Sequence, residues 1–105
     1  MRRLPLIPAL LLRVFLDDPG HAWYGLELVR QTGHTSSAVY PVLHRFEADG
    51  VLSAEREQID PREQERPARI YYRLTPAGQA YATAELTRLA AALAPPAVSA
   101  PREAP

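Results

Sequence analysis

Ser36-Ser37-Ala38-Val39-Tyr40-Pro41-Val42-Leu43-His44-Arg45-Phe46-Glu47-Ala48-Asp49-Gly50-Val51-Leu52, then Ala68-Arg69-Ile70-Tyr71-Tyr72-Arg73-Leu74-Thr75-Pro76-Ala77-Gly78, decides the fold of this chain. The order is a helix, a Gly stop, a strand, a charged hairpin, a second strand and a new helix start. A helix brought to a surface and followed by a two-stranded ribbon is a winged helix-turn-helix, a module widely used to read DNA.

The helix from Ser36 to about Asp49, capped by Thr35 or Ser36, has two unlike faces. At 100° per residue, Val39, Val42, Leu43 and Phe46 share one side. Ser37, Tyr40, Pro41, His44 and Ala48 share the other, with Arg45 at its flank. The first set is a core stripe. The second points a large aromatic, a His and a Ser at solvent, which a purely structural helix does not need. Pro41 deletes one backbone hydrogen bond near the start of this helix and is expected to bend or open its first turn. A structural role stays open for several of these residues. Tyr40 packs against the first helix in that alternative, and His44 is a solvated surface residue. Trp23 is either a core anchor or part of a ligand pocket.

Working backward, Tyr24 to Thr32 reads as the preceding helix, with Leu26, Val29 and Leu28 inward and Glu27 and Arg30 outward. Gly33 ends it in the left-handed conformation, and the turn to Thr35 is as short as a helix-turn-helix needs. His21-Ala22-Trp23 is expected to add an extended edge to the later ribbon. Pro5 to Leu16 is nearly all apolar and forms a first, largely buried helix, stopped by Asp17-Asp18-Pro19-Gly20. Working forward, strands are expected over 51–57 and 68–74, joined by a long, polar, mobile hairpin tip over 58–67. Thr75-Pro76 starts a helix to about Leu93. Its Ala82, Leu86, Leu89 and Leu93 are spaced four, three and four, as in a coiled-coil seam. The organisation is therefore a winged helix-turn-helix over 1–75, a helix over 76–93 and a disordered Ala/Pro-rich tail over 94–105. The fold class is mainly α with a small antiparallel β wing.

At 105 residues the chain is long enough for one small domain with a thin core. It has no Cys, hence no disulfide or thiolate metal site. His21, His34 and His44 lack metal-ligand spacing. No phosphate loop or nucleophile motif is present, so neither catalysis nor a cofactor is expected. The apolar start is too short for a membrane span and makes a poor signal peptide, which points to a cytoplasmic protein. The net charge of zero gives no global pull on nucleic acid. Charge is uneven, however: residues 46–68 hold three Arg against seven acids, and residues 1–45 hold five against three. Any DNA-facing surface must be local. A winged helix that binds protein rather than DNA is the alternative these charges favour.

Taken in order, Tyr24-Gly25 with Glu27-Leu28, Ser37 to Leu43, Phe46 to Leu52, and Tyr71 to Gly78 resemble the PadR family of transcriptional regulators over roughly residues 5 to 93. The Tyr40-Pro41 pair is the most specific element. The resemblance implies a homodimeric, ligand-responsive repressor of the compact subclass that binds a palindromic operator in duplex DNA. It implies a recognition helix bearing Ser36, Ser37, Tyr40, Pro41, His44 and Arg45, and a wing carrying Arg56, Arg62 and Arg66. It implies a C-terminal dimerisation helix using Leu86, Leu89 and Leu93, and a small-molecule effector as a further partner. Two features depart from the family. The wing is acidic on balance, through Glu55, Glu57, Asp60, Glu63 and Glu65. The last helix also lacks the Trp with which some compact members hold flat ligands.

Overall fold

Helix α1 (Leu6–Asp17) runs through the middle of the computed structural model, which describes residues 6–95. Leu11, Leu12 and Phe15 are completely buried along it. Pro8 falls in its first turn, where a missing N–H costs little. The start of the sequence-based helix at Pro5, and the tail from residue 96, lie outside the described residues.

A short strand, β1 (Trp23–Tyr24), leads into α2 (Gly25–Thr32). Tyr24 therefore belongs to the sheet and not to the helix. Its N–H donates to the Glu27 carboxylate at 3.1 Å, which closes the first turn of α2. Gly33 ends α2 at φ 73°, and its N–H donates to the Val29 carbonyl. Leu28 is fully buried, but Leu26 is 43% exposed and does not join the apolar side assigned to it. With only eight residues, α2 turns one narrow stripe inward, and Leu26 lies off it.

Helix α3 (Ser36–Ala48) follows the turn and continues through Pro41. Val39, Val42, Leu43 and Phe46 are all buried, as their spacing requires. At its end Gly50 adopts φ 77° and donates to the Glu47 carbonyl, while the Val51 N–H reaches back to the Phe46 carbonyl at 2.9 Å. This pair of bonds is a Schellman motif, and the buried Val51 seals it.

Strands β2 (Leu52–Arg56) and β3 (Ile70–Leu74) pair antiparallel, from Leu52 opposite Leu74 to Arg56 opposite Ile70. β1 adds to the other edge of β3, giving the order β1-β3-β2. Tyr72 and Leu74 face the core, whereas Tyr71 and Arg73 face away. The wing tip has regular structure of its own. It holds one helical turn, α4 (Pro61–Gln64), capped by the Asp60 carboxylate at 2.9 Å from the Arg62 N–H.

Helix α5 (Pro76–Leu93) starts at a tight junction. The Thr75 hydroxyl donates to the Gly50 carbonyl at 2.6 Å and accepts from the Gly78 N–H at 2.8 Å. The Thr75 N–H donates to the Val51 carbonyl at 3.1 Å. Ala82 is fully buried, and Leu86 packs against the core of its own chain. The first half of the expected seam thus serves the fold. Leu93, at 74% exposure, has no cover within the described residues.

A Cβ added at Gly78 would lie 1.9 Å from the Val51 carbonyl oxygen. Helix propensity alone would make Gly78→Ala stabilising by about 1 kcal/mol. The clash is with backbone, which no rotamer change relieves, so the steric term wins. Gly78→Ala is expected to lower stability by about 1–3 kcal/mol in urea denaturation. The exposed neighbour Gln79→Ala is expected to stay within about 0.5 kcal/mol of the parent.

Candidate nucleic-acid interface

The polar flank of α3 is the most chemically varied exposed helix surface near the wing. Ser36, Ser37, Pro41, His44 and Arg45 are all exposed. Ser37 Oγ lies 3.2 Å from Thr35 Oγ1, which ties the first turn together. Pro41 leaves the Ser37 carbonyl without its usual helical N–H donor.

Tyr40 departs from the sequence expectation. It is half-buried and does not point freely at solvent. Its ring lies on α2: a Cβ at Gly25 would come within 2.3–2.5 Å of the Tyr40 hydroxyl and ring atoms. Gly25 is thus the space Tyr40 occupies. This contact with α2 sets how closely α2 and α3 approach. His44 lies next along α3, with its ring centroid 6.3 Å from that of Tyr40.

The three wing arginines differ. Arg56 and Arg62 are exposed, and among the described residues neither has a carboxylate within salt-bridge distance. Arg66 is committed elsewhere. Its two terminal nitrogens donate to the two Glu57 oxygens at 2.7 and 3.0 Å. Glu57 Oε1 also accepts from the Arg69 N–H at 3.1 Å. The Arg66 hydrogen bonds, then the Arg69 backbone bond, hold the Glu57 carboxyl down from an ordinary 4.5 to about 2. The same bond raises Arg66. This bidentate pair sets Arg66 apart from Arg56 and Arg62, since its charge is already matched by Glu57. Two of the wing's five acids are accounted for in this way, Glu57 by Arg66 and Asp60 by its cap. Glu55, Glu63 and Glu65 remain exposed.

A cleft of about 420 Å³ opens between α2, α3 and the start of β3. Tyr40 and His44 line one side of it, and Arg69 and Ile70 the other. The Arg69 guanidinium lies 4.2 Å from the Tyr24 ring centroid. Sequence reasoning passed over Tyr24 and Arg69 as site residues. Their only signal was the aromatic run beside an Arg at the wing's return, and that run also reads as ordinary strand. Trp23 lines no part of this cleft. It packs on the core edge-on to His21, and its indole N–H is buried with no hydrogen-bond partner among the described residues.

Among the described residues no group of His, Asp or Glu side chains is placed to hold a metal ion. No helix there is long and apolar enough to cross a membrane.

The chain matches the model of the transcriptional regulator PadR-like family over residues 15–84. The curated protein "Transcriptional regulator Rv3488" of Mycobacterium tuberculosis (strain ATCC 25618 / H37Rv) is 45% identical to it over 69 residues, which is 64% of this chain and 60% of that protein. The match thus spans less than two thirds of that relative's length. The solved structure of smu.1704 from Streptococcus mutans UA159 superposes with a TM-score of 0.66 at 24% identity, covering 83% of this chain and 78% of that one. A padr family transcriptional regulator from Eggerthella lenta DSM 2243 gives 0.63 at 23% identity, covering 78% and 73%. At these identities the two structures speak for the winged-helix fold.

The Glu57 clamp has a pH signature. Its folded-state carboxyl lies below the ordinary value, so its contribution is complete above pH 4.5 and is lost as pH falls through about 2. Carboxyl-carbon NMR is expected to place its midpoint near 2 in the parent. In Arg66→Gln the midpoint should return toward the ordinary carboxylate range. A parent midpoint already in that range would show the clamp to be absent in solution.

Proposed function

Because this chain belongs to the transcriptional regulator PadR-like family, we propose that it is a homodimeric, ligand-responsive repressor that binds a palindromic operator through α3. The family is one of regulators and not of enzymes. The observation that carries the proposal is the division of α3. Its apolar stripe is buried to the last residue, and its Ser, Pro, His and Arg flank is left open beside the wing.

B-DNA's major groove admits one helix, and in this fold the N-terminal half leads. Ser36, Ser37 and the Ser37 carbonyl then approach backbone or base edges. His44 and Arg45 follow one turn later. Tyr40, braced on Gly25, presents its remaining edge to the same groove. Arg56, exposed and outside any salt bridge among the described residues, is the wing-strand cation left to meet phosphate. Two copies related by a twofold axis would read half-sites about one helical turn apart. The second copy is supported by α5, whose Leu89 and Leu93 extend the seam past the part used by the fold, with Leu86 at the border. Occlusion of a promoter is the simplest way for such a dimer to repress, and a small molecule that alters its geometry would relieve repression. A protein-binding winged helix is the second reading, favoured by the exposed acids of the wing.

Purified protein is expected to bind a duplex from its own upstream region, with affinity falling steeply as salt rises. Tyr40→Ala and His44→Ala are each expected to weaken binding about tenfold or more, as befits a contact worth about 1–3 kcal/mol. Salt-independent binding, or unchanged binding in both variants, would favour the protein-binding reading. In sedimentation, Leu89→Glu with Leu93→Glu should convert dimer to monomer at micromolar concentration.

A further inference from the structure

The acidic wing poses a problem for a DNA-binding winged helix, because its tip would meet phosphates with Glu63 and Glu65 exposed. We propose that the cleft at the root of the wing seats a sugar–phosphate unit of the duplex, with Arg69 as the cation that holds it. This rests on the DNA-binding reading above.

Two arginines border the cleft, and they are in different states. Arg66 has both terminal nitrogens on Glu57. Arg69 uses only its backbone in the same clamp: its N–H donates to Glu57 Oε1, and its carbonyl accepts from the Glu57 N–H at 2.8 Å. Among the described residues no carboxylate lies within salt-bridge distance of the Arg69 side chain. The strand closure therefore fixes where Arg69 starts; its charge lies near enough to Glu57 to help hold that carboxyl low, yet it is tied into no salt bridge among the described residues.

The aromatic neighbours fix where that charge points. The guanidinium rests on the Tyr24 ring, and Tyr24 is itself held edge-on by Tyr71 at 5.7 Å between centroids. A guanidinium held over a ring by a cation–π contact still has N–H groups to offer an acceptor such as a phosphate oxygen. Across the cleft stand Tyr40 and His44 of α3, both able to donate to a second oxygen. Leu26 and Ile70, 43% and 40% exposed, flank the same opening and give a deoxyribose an apolar surface. A cation, two further donors and an apolar rim beside the reading helix match the chemistry of a sugar–phosphate. The tip, with its acids, is then held off the duplex.

The test is fluorescence anisotropy of the full chain with its own upstream duplex and with a random duplex, across a salt titration. Arg69→Gln is expected to raise Kd about tenfold on both duplexes alike and to reduce the slope of log affinity against log salt by about one per subunit. Arg69→Met reads the same loss of charge while keeping more of the apolar stem. Arg69→Lys is expected to recover the slope but not the full affinity. Arg62→Gln, at the tip, should leave both quantities as in the parent. If the parent shows a steep slope that both neutral Arg69 variants preserve, or that Arg62→Gln takes away instead, the cleft is overturned while DNA binding stands. A parent that binds neither duplex overturns both.

Discussion

The carbonyl of Val51 is the point on which this molecule turns. It sits one residue past the Gly50 bend that ends α3, and it accepts from the Thr75 N–H where β3 passes into α5. Gly78 then lets α5 run so close that a single added carbon would lie 1.9 Å from that oxygen. Three elements are thereby locked at one place: the end of α3, the base of the wing and the start of α5. Their mutual angles do not depend on the thin hydrophobic core alone. A small domain has little burial with which to fix orientation, so such a knot of backbone bonds carries unusual weight.

From that knot the functional surface follows. The buried stripe of α3 joins the common core, and its exposed flank borders the cleft at the root of the wing. Tyr40 spans both roles, since its ring fills the space left by Gly25 and its outer edge lines the cleft. The neutral net charge becomes understandable once the arginines are sorted by partner. Arg66 is neutralised by Glu57 and shapes the wing. Arg69 is laid on Tyr24 and keeps its charge. A protein with zero formal net charge is thus left with local positive charge beside α3.

The sequence was legible where one residue type has one physical use. Gly33 and Gly50 marked left-handed helix ends, Thr75-Pro76 marked a helix start, and Val39, Val42, Leu43 and Phe46 marked a buried stripe. All are found in those roles. The short edge strand before α2 was also readable from Trp23, though not its extension to Tyr24. What stayed hidden depends on partners distant in sequence. Nothing near Tyr40 says that Gly25 makes room for it. Nothing in a run of alternating Glu and Arg says that Glu57 takes Arg66 and leaves Arg69. The turn of helix at Pro61–Gln64 was masked by its brevity, although Asp60-Pro61 is a cap followed by a first-position proline. The apolar series on α5 reads as one seam in sequence, but its first members serve the fold and only its last remain for a second copy.

In the proposed complex the duplex meets the open flank of α3 and the root of the wing, while the tip stays clear. Amide chemical-shift mapping of the labelled protein, titrated with its own upstream duplex, tests this most directly. Shifts are expected to concentrate at Ser36–Arg45 and at residues 66–70, with Asp60–Gln64 nearly still. Shifts centred on the wing tip or on α5, with α3 unmoved, would contradict it.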